Sequence, residues 1–105
     1  MTIKVTNKLG ITQQAGSERG LTYMHWCPGC DQPHIINVEK PNHCNATWSF
    51  DGNVESPTFS PSINIVGQCH YFIRSGRIEF CSDSKHALSG QTVDLPDFPP
   101  DWFPE

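Results

Sequence analysis

Apolar and polar residues alternate along this chain in short runs broken by Gly, Pro, Asn and Asp, a pattern that predicts strands and turns. Residues 2–6 alternate weakly and predict a first, edge strand, whereas Asn7 to Gly20 is polar, carries three glycines and reads as loop. Leu21 to Trp26 is β-favouring, and after Pro33 the run His34-Ile35-Ile36-Asn37-Val38 predicts its neighbour. Lys40 to Asn45 reads as loop, and Thr47 to Phe50 as a strand ending in the turn Asp51-Gly52-Asn53. Pro57 to Ser62 is stiff and irregular, leading into a strand at Ile63 to Val66.

The clearest local pattern is a hairpin, Cys69 to Arg74 and Arg77 to Ser82, turning at Ser75-Gly76. A two-residue turn pairs Ile73 with Ile78 and Tyr71 with Phe80, and puts Cys69 on their apolar face. His70 and Cys81 then pair on the opposite face, beside Phe72 and Glu79. Adjacent Cys69 and His70 can reach one metal only where the strand bulges or begins after them. Asp83 to Leu88 predicts one short helical turn, ended by Gly90, and Gln91 to Leu95 a last strand. The expected fold is therefore a small, mostly β, zinc-ribbon-like antiparallel domain with one short helical turn.

Length and composition sharpen this picture. The 105 residues suit one domain, residues 1–95, followed by a tail at 96–105 with four prolines among Phe98, Trp102 and Phe103. That tail is expected to lie extended over the domain or to bind a partner. Only 36% of the residues are hydrophobic and mean hydropathy is −0.44, so the core is lean and a metal staple is useful. A net charge of −4 with no run of Lys or Arg excludes a general nucleic-acid footprint. No apolar stretch reaches membrane-spanning length and the N-terminus lacks a signal-peptide core, which predicts a cytoplasmic protein. With five cysteines in a reducing compartment, metal binding is favoured over disulfides.

Cys27-Pro28-Gly29-Cys30 concentrates the chemistry. Two cysteines two residues apart supply half of a tetrahedral zinc site, and the other ligands come from His34, Cys69, His70, Cys81 and His86. Cys69, at the mouth of a hairpin, is the expected third ligand; His70 is the expected fourth, with His34 and Cys81 as alternatives. Trp26-Cys27-x-x-Cys30 also suggests a redox dithiol, but that chemistry needs a helix starting at the first cysteine. Pro33, Ile35 and Ile36 argue against one. Cys44, in a polar loop, reads as incidental, and Trp26, Trp48 and Tyr71 as core. A serine, an acid and a base that could form a hydrolytic triad are present in Ser62, Asp83 and His86. Structural roles compete: Pro61-Ser62 as a strand entry, and Asp83 as the cap of the turn that holds His86.

The blocks Trp26-Cys27-Pro28-Gly29-Cys30 with His34, Trp48-Ser49-Phe50 and Pro57 to Ser62 resemble a small family common in tailed phages and prophages. Cys69 to Arg74 with Gly76, and Asp83-x-x-His86-Ala87-Leu88-x-Gly90 into Leu95-Pro96, extend the resemblance over about Tyr23 to Pro100. Members often carry the label "ammonia monooxygenase", which this chain contradicts by being too short and too polar for a membrane copper enzyme. The same blocks resemble, more distantly, the BubE domain of bacterial ubiquitination-like operons, through the Cys knuckle, Pro61-Ser62-Ile63 and Cys69-His70-Tyr71. That resemblance implies peptidase or deconjugase activity, raises Ser62 and His70, and lowers Cys44 and Cys81 as ligands. Two readings follow. The first is a zinc-binding phage or prophage accessory protein acting through protein contacts. The alternative is a small hydrolase using Ser62 with His70 or His86 on a partner such as a ubiquitin-like tail.

Overall fold

The computed structural model describes residues 2–12, 22–39, 46–65, 67–100 and 102. Among them are nine strands in two antiparallel sheets and no helix. One sheet runs in chain order through β1 (Thr2–Lys4), β2 (Gly10–Thr12), β3 (Thr22–Cys27) and β4 (Gln32–Asn37). The other runs through β5 (Ser49–Phe50), β6 (Phe59–Ile65), β7 (Cys69–Arg74), β8 (Arg77–Phe80) and β9 (Thr92–Asp94). No described helix is long and apolar enough to cross a membrane.

Each strand pair follows from its local sequence. β7 and β8 pair as the alternation requires, Tyr71 with Phe80 and Ile73 with Ile78. Ser75 and Gly76 both take positive φ, 49° and 76°, so the two-residue turn matches the twist of its strands. β3 and β4 form a second hairpin, from Thr22 opposite Asn37 to Cys27 opposite Gln32, with the Cys knuckle as its turn. One stretch read as loop is a strand. Leu9, fully buried, and Ile11 give the polar segment enough apolar surface for β2 to bridge β1 and β3. The Thr6 hydroxyl accepts the Lys8 and Leu9 amides (both 3.1 Å) and shapes the turn into it.

The segment expected to be irregular also extends into a strand, since β6 starts at Phe59 and runs through Pro61. It keeps a trace of that irregularity, a register shift against β7 between Phe59 and Ile63. The helical turn expected at Asp83 to Leu88 is a series of tight turns, with Ser84 bonded to Cys81, Ser89 to His86 and Gln91 to Leu88.

The core lies between the sheets. Leu9, Tyr23 and Ile36 meet Phe59, Ile63, Tyr71, Ile73, Ile78, Phe80 and Leu95. One buried polar chain crosses it. The Tyr71 hydroxyl lies 2.7 Å from His25 Nε2 and 3.0 Å from His34 Nδ1, and His25 Nδ1 lies 3.3 Å from the Trp26 carbonyl. With one proton per imidazole, His34 donates to Tyr71, Tyr71 to His25, and His25 to Trp26. Burial and mutual proximity hold His25 down at about 3, and burial with His86 nearby holds His34 down at about 4. The described part of the C-terminal tail packs on the domain. The Phe98 amide donates to the Asn7 carbonyl (2.9 Å), and Phe98 and Trp102 gather on Trp26.

Candidate active site and metal centre

Successive residues of β7 point to opposite faces, so Cys69 turns inward and His70 outward. The two side chains consequently enter different clusters.

On the inner side, Cys27, Cys30, Cys69 and His86 bring their ligand atoms within 4.8 Å of one another. The knuckle is a tight turn in which the Cys30 amide faces the Cys27 sulfur (3.4 Å) and the Asp31 amide bonds the Cys27 carbonyl (2.8 Å). His86 arrives from the turns after β8, with Nε2 3.3 Å from the Cys69 sulfur and Nδ1 accepting from the Leu88 amide (3.2 Å). Its ring lies against Gly29, where a side-chain carbon would run into it. Burial, then the neighbouring Cys30, lifts the Cys27 thiol to about 11; burial and then Cys27 and Cys30 push Cys69 up further. Three crowded thiols and an imidazole in a buried corner suit a divalent cation, whose charge reverses the cost of ionising each thiol. These four side chains could hold a metal ion.

On the outer side, Ser62 Oγ stands 3.0 Å from His70 Nε2, and His70 Nδ1 stands 3.2 Å from both carboxylate oxygens of Asp83. Ser62 comes from β6 within the register shift between Phe59 and Ile63, with its carbonyl capped by the Trp48 indole (3.2 Å). Asp83 comes from the turn after β8. That turn is clamped to β7 at His70. The Cys81 amide donates to the His70 carbonyl (2.8 Å), and the buried Ser84 hydroxyl donates to that carbonyl (2.8 Å) while accepting the His70 amide (3.1 Å). His70 is 27% and Asp83 65% exposed, so the site lies open on the sheet face.

Relative to the sequence expectation, the two histidines exchange places. His70, expected with Cys27, Cys30 and Cys69 or else as the base for Ser62, lies between Ser62 and Asp83, and His86, expected beside Ser62 and Asp83 though also a candidate ligand, completes the cysteine cluster. The pleat of β7 makes this necessary, because no bulge intervenes between Cys69 and His70. His34, an alternative ligand, is buried against Tyr71. Cys81, the other, lies beside His70 and Asp83. Cys44 is outside the described residues. Ser84 escaped notice as a lone serine in a turn, although a Ser after an acidic residue at a strand exit is a usual turn signal.

A family model described as "Bacterial ubiquitination-like system serine protease (BubE)" matches residues 2–81. The chain belongs to the BubE family. The match takes in Ser62, His70 and the three clustered cysteines, and ends just before Asp83 and His86. No curated protein and no solved structure matches this BubE chain.

Proposed function

We propose that this BubE protein is a small serine hydrolase of the peptidase or deconjugase kind, with Ser62 as nucleophile, His70 as base and Asp83 as the orienting acid. The observation that carries the reading is the serine–histidine–carboxylate chain itself, Ser62 Oγ to Nε2 at 3.0 Å and Nδ1 to Asp83 at 3.2 Å. In that order Nδ1–H donates to Asp83, which leaves the Nε2 lone pair to take the Ser62 proton. Attack of Oγ on a carbonyl carbon forms an acyl-serine, and Nε2–H gives its proton to the departing amine. Water then attacks the acyl group, delivering its proton to Nε2, and Ser62 is released. Asn64, exposed two residues along β6 and paired directly opposite His70, is the side chain placed to donate to the developing oxyanion.

Cys27, Cys30, Cys69 and His86 would hold a structural zinc ion, tying the β3–β4 knuckle to β7 and to the turns after β8. A bound ion would supply cohesion there, and no step at Ser62 would pass through it. We place the protein in the bacterial cytoplasm, where thiols stay reduced, and propose the C-terminal tail of a ubiquitin-like protein as substrate, in keeping with a family described as belonging to a ubiquitination-like system.

A fluorophosphonate probe tests this without knowing the substrate. Ser62 should be labelled and located by peptide mass spectrometry; Ser62→Ala should abolish labelling and turnover of a ubiquitin-like C-terminal fusion while keeping fold and metal content. Labelling that persists in the alanine variant would sink the assignment.

A further inference from the structure

We propose that His70, Cys81 and Asp83 form a second metal site, for a zinc-class divalent ion, whose filling ends the service of His70 as base to Ser62. The three side chains bring one ligand atom each within 4.8 Å of one another, on the sheet face opposite the cysteine cluster. Imidazole, thiol and carboxylate are a zinc-type set, and three protein ligands leave a fourth position for water.

The placement is built into the backbone. Cys81 is fixed beside His70 by its amide bond to the His70 carbonyl (2.8 Å), and Ser84, which locks the same turn, bonds the Cys81 carbonyl through its amide (3.1 Å). Asp83 joins them, with both oxygens 3.2 Å from His70 Nδ1. Cys81 takes no part in the core or in the cluster of Cys27, Cys30, Cys69 and His86. A hydrolytic triad has no use for a thiol at that position; a metal does.

The consequence follows from the ring's single proton. A metal on Nδ1 displaces the hydrogen bond to Asp83, and the proton moves to Nε2, which then donates to Ser62 Oγ instead of accepting from it. The Cys81 thiol proton leaves to solvent. The base is thereby lost without movement of the backbone. The site stands on its own geometry; only its effect on turnover rests on the hydrolase reading.

The test starts from the full chain with the cysteine cluster loaded with one zinc. Calorimetric titration with Zn²⁺, and with Cd²⁺ to read the thiolate absorption band, should show one further equivalent in the parent and none in Cys81→Ala. Nitrogen-15 NMR of the His70 ring should show the proton moving from Nδ1 to Nε2 as that equivalent binds. Fluorophosphonate labelling of Ser62 should then slow by about 100-fold or more at saturation, the size of a general-base contribution, with the alanine variant unaffected. Equal binding by parent and variant would overturn the site. Binding that leaves the proton on Nδ1 would overturn the switch. A parent that binds the second ion and shifts the proton, yet is never labelled even when that ion is absent, would leave the metal site standing and remove the hydrolase reading.

Discussion

Asp83 differs from the orienting acid of a deeply buried triad in being 65% exposed. Water competes for its carboxylate, and a charge pair in that setting contributes little to stability. In the proposed triad its value is geometric, in choosing the His70 tautomer. Asp83→Asn should therefore slow Ser62 labelling by roughly 10–100-fold, well short of the about 10⁴-fold seen when a buried triad acid is neutralised. Stopped-flow labelling rates on the parent and the variant would show it, and a loss as large as that of Ser62→Ala would mean that Asp83 does more than orient. At this scale the sequence was legible in part. Ser62 and Asp83 stood out by residue type, and the alternation of β7 already separated Cys69 from His70. The same alternation puts His70 on the outer face, and only its choice as fourth ligand beside Cys69 departed from that pattern. His86 could not be placed the same way, because it sits in successive turns whose direction no periodicity records.

Among the elements, the β3–β4 hairpin is where local sequence and tertiary need meet. Its turn must close two strands, present two sulfurs and leave room for a ring arriving from a distant loop. Gly29 satisfies the last condition, since the His86 imidazole occupies the space of a missing side chain. Gly29→Ala should push the ring away and weaken zinc binding by about 10–100-fold, as happens when residues that hold a ligand in place are altered. Competition with a zinc-chelating dye would measure this; an unchanged affinity would show that His86 is no ligand. The hairpins β3–β4 and β7–β8 were readable from turn residues and alternation. β2 was not, because its stability comes from pairing with β1 and β3 and from burying Leu9, both non-local.

Across the molecule, the two sheets are tied by the His34–Tyr71–His25 chain as well as by apolar contact. Both imidazoles are neutral when folded, with values lowered to about 4 and about 3, while in the unfolded chain each binds a proton below about 6.5. The unfolded state then holds more protons, so stability is fully present above about pH 6.5 and falls as the pH drops toward 4. The slope is at most about 1.4 kcal/mol per pH unit for each histidine. Thermal melts from pH 7 to 4.5, with metal content followed alongside, should show this decline. His34→Gln, which removes one titrating group, should flatten it; an equal slope in both proteins would put the acid sensitivity elsewhere. This network was invisible in the sequence, since it joins residues 46 and 37 positions apart across two sheets.

One peptide unit separates Cys69, in the cysteine cluster that could hold a metal ion, from His70, the proposed base on the outer face. If the cluster holds an ion, stripping it would loosen the strand that aims the outer imidazole. Inhibitor profiling would then mislead. On the proposed reading, a chelator that reaches the cysteine cluster would silence a serine hydrolase, whereas one that takes only an ion from His70, Cys81 and Asp83 would release it. Chelator sensitivity alone would misfile the protein among metallopeptidases.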